Sequence, residues 1–445
     1  MKGRNVVLLA TVVVLALAVA LPGAASAAGS GKRYVVVFSG NTIPKDAAES
    51  IAAAGGQLVK TLPEVGVAIA VSDSASFAAA LKGAKSVTEV GEERFMELSE
   101  PQAYVQTEDG PTPQDSYYVA YQWDIRRVKA DQAWAVTSGS HNTVVAVIDT
   151  GIAWNHPDLF PNVVFATCYS ALSPTCLPYP SLSWHGTHVA GTIAAAFGGG
   201  RAVGVGPNLG LASYNVFDLY NGGVVAFDES IWAAMLDAAS QRFRVINMSL
   251  GGYVIFPLKD AAVWTAWNRV ADYVTRKGVT IVASSGNAGA NLNGPVAHIP
   301  SDLPAVIGVG GTGIRPNPFY PQPGAYDVRA DYSNYGAAVT LVAPGGDLGP
   351  EDSLYPYYWY FVFSTYVALN STCPATASCP TSYAWAAGTS MASPHAAGVA
   401  GLVIDREPRL NPHQVAATLK QTAEPLGDRQ LFGHGMVDAA MAVGK

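Results

Sequence analysis

The feature that most restricts the fold of this chain is a regular alternation of apolar runs and helical segments, from about Tyr118 onward. Five runs have the length and β-branched composition of strands: Thr143–Ile148, Val245–Met248, Val279–Ala283, Val306–Val309 and Val339–Val342. Helical patterns lie between them, as in His185–Ala196 and Ala261–Arg276. Apolar runs without polar alternation are typical of a parallel sheet that helices cover on both faces. The alternation therefore predicts an α/β fold, in which functional side chains collect where the strands end.

A smaller domain precedes this region. From Arg33 to about Leu98 the pattern predicts the order strand, helix, strand, strand, helix, strand, which is a ferredoxin-like α+β unit. Residues 97–117 are rich in Pro, Gln, Asp and Thr and lack periodicity, as in a linker or a cleavable segment. We assign residues 28–100 to this leader domain, 101–117 to a linker or processing region, and 118–445 to the main domain.

The first residues have the pattern of an export signal. Lys2 and Arg4 precede an apolar run from Val6 to Leu21, and small residues follow up to Ala28. This pattern predicts a secretory signal peptide over residues 1–27, cleaved after Ala27. A permanent membrane anchor is the alternative, but the run is slightly short for a bilayer span and no basic stop-transfer cluster follows it. We expect a secreted, extracellular protein without a membrane attachment once the signal is removed.

Charge and composition exclude two classes of protein. The chain has 26 Lys and Arg against 33 Asp and Glu, a net charge of −7, so no basic excess exists to bind nucleic acid. Only 13% of residues are charged and 49% are hydrophobic, which excludes a disordered chain. A compact globular protein remains.

The four cysteines form two close pairs in the sequence, Cys168 with Cys176 and Cys373 with Cys379. In an exported protein such pairs can form disulfides that restrain loops, and of the three connectivities we favour the two local ones. A zinc site is the alternative, but it lacks the usual Cys-x2-Cys spacing.

Three polar sites interrupt the apolar pattern. Asp149 follows Val144–Ile148 directly, where a carboxylate is costly unless it is hydrogen-bonded. His185 and His188 lie near one face of a helix, but there is no third metal ligand nearby and no H-E-x-x-H motif. Ser390 begins a helix, where free backbone N–H groups can stabilise a developing oxyanion. Each site alone is explained as a cap or a helix start, but together they fit a serine nucleophile activated by an imidazole that a carboxylate orients.

The strings around these sites resemble a known family. VAVIDTGI (145–152), HGTHVAGTI (185–193) and GTSMASPHAAG (388–398) are similar to the signature blocks of the subtilases, the subtilisin-like serine peptidases. The resemblance covers essentially the whole chain after Tyr118, and the leader resembles the inhibitor-like propeptide of that family. It implies that Asp149 orients the imidazole, His185 is the general base and acid, and Ser390 is the nucleophile.

The resemblance also implies residues that contact the substrate. Asn287 would donate its side-chain amide to the oxyanion, although a turn residue in Ser-Gly-Asn-Ala-Gly is equally consistent with the local sequence. His298 would lie at the floor of the primary specificity pocket and favour a polar or acidic side chain, whereas the default interpretation is a surface loop histidine. An exposed backbone edge on which a peptide adds a strand would come from Ser249, Leu250, Gly251 and Gly252.

One family feature is altered in this sequence. Subtilases often bind calcium near the Asp of an HPDL motif, here Asp158. The loop that usually supplies further ligands is Ala-Phe-Gly-Gly-Gly-Arg (196–201), which has no carboxylate or amide and ends in a repulsive Arg201. We expect this site to be altered or absent and Asp158 to act as a turn or cap residue. We assign no metal ligand and no cofactor to the chemistry, and leave calcium elsewhere in the chain open.

The segment between Pro344 and Ser390 is longer than is usual in the family. It contains the aromatic run Tyr355–Phe361. An inserted hairpin that packs on the body is our preferred interpretation, because strands favour such residues. A substrate or partner surface of exposed aromatic residues is the alternative.

These observations predict a secreted serine endopeptidase made as a self-processing precursor. We expect polypeptide substrates, the propeptide as an intramolecular inhibitor, and a monomer. A lipase or esterase is disfavoured because Ser390 lies in Thr-Ser-Met rather than in a Gly-x-Ser-x-Gly elbow and comes last in chain order. A catalytically inactive secreted binding protein on the same fold is the remaining alternative.

Overall fold

The computed structural model describes residues 31–98, 103–106, 116–198, 200–255, 260–315, 326–347, 360–369 and 379–444. The predicted signal peptide, Cys373 and the stretch from Tyr355 to Trp359 lie outside the described residues.

The leader domain is a four-stranded antiparallel sheet with two short helices on one face. Its elements are β1 (Lys32–Phe38), α1 (Ala47–Ala53), β2 (Gln57–Leu62), β3 (Val67–Ser72), α2 (Phe77–Lys82) and β4 (Val87–Glu92). The strand order in the sheet is β2-β3-β1-β4, and the order of elements along the chain is the one predicted.

The rest of the chain adds sixteen strands and ten helices within the described residues. The strands are β5 (Phe95–Glu97), β6 (Ala103–Val105), β7 (Val144–Asp149), β8 (Val163–Cys168), β9 (Gly210–Asn215), β10 (Phe217–Tyr220), β11 (Gly223–Phe227), β12 (Val245–Met248), β13 (Gly252–Ile255), β14 (Thr280–Ser284), β15 (Val296–Ile299), β16 (Val306–Arg315), β17 (Tyr326–Arg329), β18 (Leu341–Pro344), β19 (Val362–Val367) and β20 (Thr381–Ala386). The helices are α3 (Ser116–Tyr121), α4 (Trp123–Arg127), α5 (Ala130–Ala133), α6 (His185–Ala194), α7 (Asp228–Ser240), α8 (Ala261–Arg276), α9 (Thr389–Arg406), α10 (Pro412–Thr422), α11 (Arg429–Phe432) and α12 (Ala439–Gly444).

The centre of the main domain is an eight-stranded sheet. Its order is β17-β16-β14-β12-β7-β9-β8, and β18 pairs with β16. All of its pairings are parallel except that of β16 with β17. The predicted α/β class with a mostly parallel central sheet is confirmed.

Helices cover both faces of this sheet. In β7, Val145 and Val147 belong to a core with residues of α6 and α9, whereas Ala146 and Ile148 belong to a core with residues of α7 and α8. Because side chains alternate between the faces of a strand, both faces must be apolar to be buried in this way. This explains why β7 is an unbroken apolar run until it reaches Asp149.

The leader sheet uses its two faces in the same manner. Val36 and Phe38 pack with residues of α1 and α2, whereas Val35 and Val37 share a core with residues of α7 and α8. One face of the leader sheet therefore packs against its own helices, and the other packs against the main domain.

Two short strands extend beyond the leader sheet. β5 pairs with β11 and β6 pairs with β20, both antiparallel. Residues 101–117, expected to be a linker, therefore contain a strand and the start of α3. A strand of three residues has no readable periodicity of its own and exists here because a partner strand is present.

The segment between Pro344 and Ser390 contains the antiparallel hairpin β19–β20. Tyr360 and Phe361 are buried, and β19 packs against α6. For these two aromatic residues the structure favours packing on the body over an exposed binding surface.

Of the two predicted disulfides, Cys168–Cys176 is present in the structure. Cys379 is disulfide-bonded, and its predicted partner Cys373 lies outside the described residues. Within the described ranges, none of the helices combines the length and the apolar character needed to cross a lipid bilayer.

Candidate active site

The ends of three adjacent strands converge on one edge of the central sheet. β7, β12 and β14 are parallel neighbours, so their carboxyl ends lie together. β7 ends at Asp149, β12 is followed by Ser249, and β14 leads into the loop that contains Asn287. The sheet thus brings together residues that are far apart in sequence.

Asp149 and His185 form a buried hydrogen-bonded pair. Both residues have no solvent exposure, and Nδ1 of His185 lies 2.8 Å from Oδ1 and 3.0 Å from Oδ2 of Asp149. The backbone N–H of Thr150 donates to the same carboxylate at 2.7 Å. Close approach depends on Gly186, where an added Cβ would lie 2.6 Å from the carbonyl oxygen of Gly151. A proton on Nδ1 shared with a carboxylate leaves the other ring nitrogen, Nε2, as the basic atom.

Ser390 occupies the second position of α9, which packs against α6. Its N–H belongs to the first turn of the helix, where backbone donors have no partner within the helix. Its hydroxyl donates to the carbonyl oxygen of Ser249 at 3.2 Å. Nε2 of His185 is buried and has no hydrogen-bond partner among the described residues. The hydroxyl of Ser390 and Nε2 of His185 are therefore not hydrogen-bonded to each other in this arrangement.

Pro394 accounts for an unusual contact in this helix. A residue at position 394 would ordinarily donate its N–H to the carbonyl of Ser390, but proline has no N–H. The Ser390 carbonyl instead accepts a hydrogen bond of 2.8 Å from the hydroxyl of Ser249. Pro394 lies in the interior of α9, five residues after its start.

Asn247 supports this contact and was missed by sequence reasoning. Its amide donates to the Ser249 hydroxyl at 3.1 Å, and its carbonyl oxygen accepts from Ser393 at 2.7 Å. The signal was available in the string NMSLGG, because residues two apart along an extended chain lie on the same side.

The side-chain amide of Asn287 is fixed by hydrogen bonds to its oxygen atom. Its Oδ1 accepts from the backbone N–H of Thr389 at 2.9 Å and from the Thr389 hydroxyl at 2.7 Å. This fixes the amide by its oxygen and leaves the NH₂ group as the end that can donate. Asn287 is exposed and lines the same cavity as Ser390.

That cavity has a volume of about 340 Å³ and is lined by both domains. The main domain contributes Ser390, Asn287, His298 and the predicted substrate edge, which comprises Ser249, Leu250, Gly251 and Gly252. The leader contributes Phe95, Met96, Glu97 and Leu98. The structure therefore places every predicted substrate-contact residue on one cavity, and a segment of the same chain lies against it.

The leader segment lies in this cavity as an extended strand. β5 pairs with β11, and the N–H of Leu98 donates to the carbonyl oxygen of Val224 at 2.8 Å. Met96 is buried beside Gly252, where an added Cβ would lie 3.3 Å from its Cγ. Strand pairing combined with a buried side chain is the way in which extended peptides bind a sheet edge.

His298 is not on the surface. It lies in β15 and is 3% exposed, so the surface-loop alternative is wrong. Burial lowers its pKa to about 4, and burial likewise lowers the pKa of His188 to about 3. His188 contacts the carbonyl oxygen of Ala384 at 3.1 Å, which makes it a packing residue of α6 rather than half of a metal pair.

One carboxylate oxygen of Asp158 accepts backbone hydrogen bonds, and on this ground we propose that the calcium site of the family is altered here. The backbone N–H groups of Arg201 and Ala202 lie 3.3 and 3.1 Å from Oδ2 of Asp158, so they present hydrogens where a cation would need oxygen atoms. The guanidinium of Arg201 lies over the ring of Tyr117 nearby. Within the described ranges there is no group of three His, Cys, Asp or Glu side chains arranged to hold a metal ion.

Known proteins with similar sequences point to one family. The model of the Subtilase family matches residues 140–435 of this chain. The thermophilic serine proteinase of Bacillus sp. (strain AK1) is 32% identical over 334 residues, which are 75% of this chain and 69% of that protein. Subtilisin DY of Bacillus licheniformis is 32% identical over 320 residues, which are 72% of this chain and 97% of that protein.

A solved structure supports the fold over nearly the full length. The epidermin leader peptide processing serine protease of Staphylococcus aureus superposes with a TM-score of 0.71 at 22% identity. The match covers 94% of this chain and 98% of that chain. It therefore includes the leader region as well as the central sheet.

Proposed function

Because the chain belongs to the subtilase family and is a subtilisin-like serine endopeptidase, we propose that Asp149, His185 and Ser390 are its catalytic triad. The observation that carries this proposal is the fully buried Asp149–His185 pair with its 2.8 Å hydrogen bond. Asp149 ends β7, and His185 begins α6, which packs against α9, the helix begun by Thr389 and Ser390.

The proposed reaction starts with a rotation of the Ser390 side chain away from the Ser249 carbonyl and toward Nε2 of His185. The imidazole then takes the hydroxyl proton as Oγ attacks the carbonyl carbon of the peptide bond. Asp149 stabilises the imidazolium that forms, and the imidazolium passes the proton to the departing amine. Water next attacks the acyl-serine with the same imidazole as the base, which releases the acid product and restores Ser390. These steps use protein groups and water, and we assign no cofactor to them.

The oxyanion of each tetrahedral intermediate would be bound by two donors. One is the N–H of Ser390 in the first turn of α9, and the other is the NH₂ group of Asn287. The two bonds from Thr389 to the Asn287 oxygen support this assignment, because they fix the amide before substrate arrives and so lower the reorganisation needed during the reaction.

We propose further that the protein is made as a self-processing precursor and that the leader first stays bound as an inhibitor. Support comes from β5, which lies along β11 in the cavity of Ser390, and from β6, which lies along β20. β20 leads directly into Ser390, and the chain between Leu98 and Ala103 joins the two strands. We therefore narrow the expected cleavage site to residues 99–102.

The remaining expectations are proposals of the same kind. Residues 1–27 would direct export and then be removed, which leaves the enzyme outside the cell, where the disulfide Cys168–Cys176 is stable. Its substrates would be polypeptides, and it would act as a monomer.

The test is to express the full chain with Ser390→Ala. We expect a precursor of full length minus the signal, whereas the wild-type chain is cut within residues 99–102, as measured by intact mass and amino-terminal sequencing. Adding a trace of mature wild-type enzyme should then cut the variant in trans, which controls for its folding.

A serine-directed phosphonate separates an enzyme from a binding protein. It should label the mature wild-type chain on Ser390 and leave Ser390→Ala unlabelled. A wild-type chain that is neither processed nor labelled would support the inactive binding protein instead. Normal maturation of Ser390→Ala in a protease-deficient host would contradict self-cleavage.

A further inference from the structure

The cavity beside Ser390 has a histidine in its wall whose chemistry the proposed mechanism does not use. His298 lines the cavity together with Ser390 and Asn287, and it lies in β15 directly opposite Tyr253 of β13. A side chain next to the scissile bond of a bound polypeptide would meet this imidazole, so its protonation determines which side chains fit.

Hydrogen bonds fix the tautomer of His298. Its Nδ1 lies 2.9 Å from the hydroxyl oxygen of Ser301, and that hydroxyl lies 3.0 Å from the carbonyl oxygen of His298 itself. The hydroxyl has one proton, and both contacts are hydrogen bonds only when that proton goes to the carbonyl and Nδ1 donates to the hydroxyl oxygen. In this arrangement the ring proton is on Nδ1 and Nε2 has a lone pair.

Nε2 faces the space between two glycines of the cavity wall. An added Cβ would lie 2.5 Å from Nε2 at Gly251 and 2.7 Å from it at Gly286, so the ring occupies room that only glycine leaves. The amide of Asn334 is also close, but it is engaged by the hydroxyl of Tyr253 at 2.8 Å and the carbonyl of Ser285 at 2.7 Å. No donor among the described residues reaches Nε2, which leaves its lone pair for a ligand.

The surroundings of the ring disfavour a positive charge on the imidazole and a carboxylate of the substrate beside it. Burial keeps the imidazole neutral, because it lowers the pKa of His298 to about 4. Oδ2 of Asp302 accepts from the backbone N–H of His298 at 2.9 Å and holds the strand in place. A carboxylate brought to Nε2 would therefore be buried against the lone pair of a neutral ring that offers it no proton.

From this geometry we propose that His298 selects, at the residue before the scissile bond, side chains that donate a hydrogen bond, namely hydroxyl and carboxamide side chains, over carboxylates. The inference rests on the proposed function. The sequence predicted that His298 favours a polar or acidic side chain of the substrate, and the proposal keeps only the polar ones. Two of the four residues in the proposed cleavage segment, Ser99 and Gln102, carry such a donor. Cleavage after one of them would give a mature chain that begins at Glu100 or Ala103.

The deciding experiment compares peptides that differ only at the residue before the scissile bond. Gln and Glu, or Asn and Asp, have almost the same shape, but one presents a donor and the other only acceptors. We expect mature wild-type enzyme to cleave the amide peptide with a kcat/KM about 10–100-fold higher than the acid peptide, because pairing with a buried polar group discriminates strongly. Equal cleavage, or preference for the acid peptide, would overturn the proposal without any variant being needed.

Two variants assign the preference to the residue. His298→Leu should bring the amide-to-acid ratio close to one and raise cleavage after Leu, whereas His413→Leu, an exposed histidine on α10, should leave the ratio unchanged. An unchanged ratio in His298→Leu would also overturn the proposal. Phosphonate labelling of Ser390 in each sample keeps this result separate from the proposed function: a labelled enzyme without discrimination rejects only the role of His298, and an unlabelled protein rejects the function itself.

Discussion

Two buried carboxylates illustrate the difference between the proposed catalytic centre and the contact of the leader with the main domain. Asp149 is bonded to His185 and to the N–H of Thr150, all within the main domain. The side chain of Glu93 is equally buried, but its partners lie in both domains: Arg33 at 2.5 Å in the leader, and the N–H of Glu229 at 2.9 Å in α7. In the proposed processing, the first carboxylate keeps all of these partners, whereas the second loses its partner in the main domain when the leader departs.

The contact between the leader and the main domain is richer in charged residues than the chain as a whole. Only 13% of all residues are charged, yet Arg33 also pairs with Glu229, and Lys60 lies 3.3 Å from that carboxylate. Burial raises the pKa of Glu93 to about 8 and that of Asp228, at the start of α7, to about 7. Apolar contacts hold the leader sheet in place, and the carboxylates make its docking sensitive to protons.

The largest expected effect comes from replacing the carboxylate of Asp149, on the catalytic side of this comparison. Asp149→Asn keeps the shape but offers an NH₂ group to Nδ1 of His185, which favours the wrong tautomer. Turnover should fall by about 10⁴. We expect the rate of precursor processing, followed by gel densitometry, to fall to the limit of detection.

Asp158→Asn is the matched control for that variant. It replaces a buried carboxylate of the same domain that accepts backbone N–H groups, bonds with the side chain of Tyr383 and has no part in the proposed triad. It should process at close to the wild-type rate, although with lower thermal stability. Wild-type processing by Asp149→Asn would contradict the role given to that residue.

The second prediction concerns the pH dependence of leader release. The pKa of Glu93 is about 8 in the docked state, against an ordinary value of 4.5, so the docked state binds the proton more tightly. Docking is therefore fully stabilised below about pH 4.5 and weakens as the pH rises toward 8. The leader dissociation constant should rise by at most about tenfold per pH unit across this window. Processed complex is incubated between pH 5 and 9, and aliquots are assayed for activity at one fixed pH.

Glu93→Gln should flatten this dependence, because an amide does not titrate. Glu92→Gln is the control, since the neighbouring Glu92 forms an exposed pair with Lys32 and should leave the slope unchanged. A wild-type complex that releases its leader faster at pH 5 than at pH 8 would reverse the sign and reject the explanation.

The smallest effect on leader docking is expected at the edge of the contact between the leader and the main domain. Arg94 pairs with Asp260 at 3.0 Å, and its side chain is about one-third exposed. Exposed ion pairs contribute about 0.2–1 kcal/mol, so Arg94→Ala should weaken leader docking by no more than about fivefold. If Arg94→Ala changed the leader dissociation constant as much as Glu93→Gln does at pH 7, the buried and the exposed charges of this contact would not differ in their effect on docking.

Local patterns predicted the elements that build the catalytic centre. α8 begins and ends where its periodicity predicts, and the apolar run of β7 stops at Asp149 because both faces of the sheet are covered. A helix start and a strand end are local properties, so the positions of His185 and Ser390 on the fold followed from short stretches of sequence.

Contacts between distant segments were not predictable in this way. β5 and β6 are strands only because β11 and β20 pair with them. The bond from the Glu229 N–H to Glu93 joins residues 136 positions apart, and no local pattern records it. The tautomer of His298 likewise depends on whether its carbonyl oxygen or its Nδ1 receives the hydroxyl proton of Ser301.

The pairing of β6 with β20 has a consequence for the reversibility of self-cleavage. A cut within residues 99–102 creates an amino group on a chain that stays hydrogen-bonded to β20, the strand that leads into Ser390. A reactive group tethered by a few residues has a local concentration in the millimolar range, so this amine competes with water for the acyl-serine. While β5 remains in place, the severed bond can be remade as well as broken. In the proposed processing, departure of the leader tail rather than the chemical step would then commit the molecule to its mature form, and the expected weakening of docking as the pH rises would set the moment at which that happens.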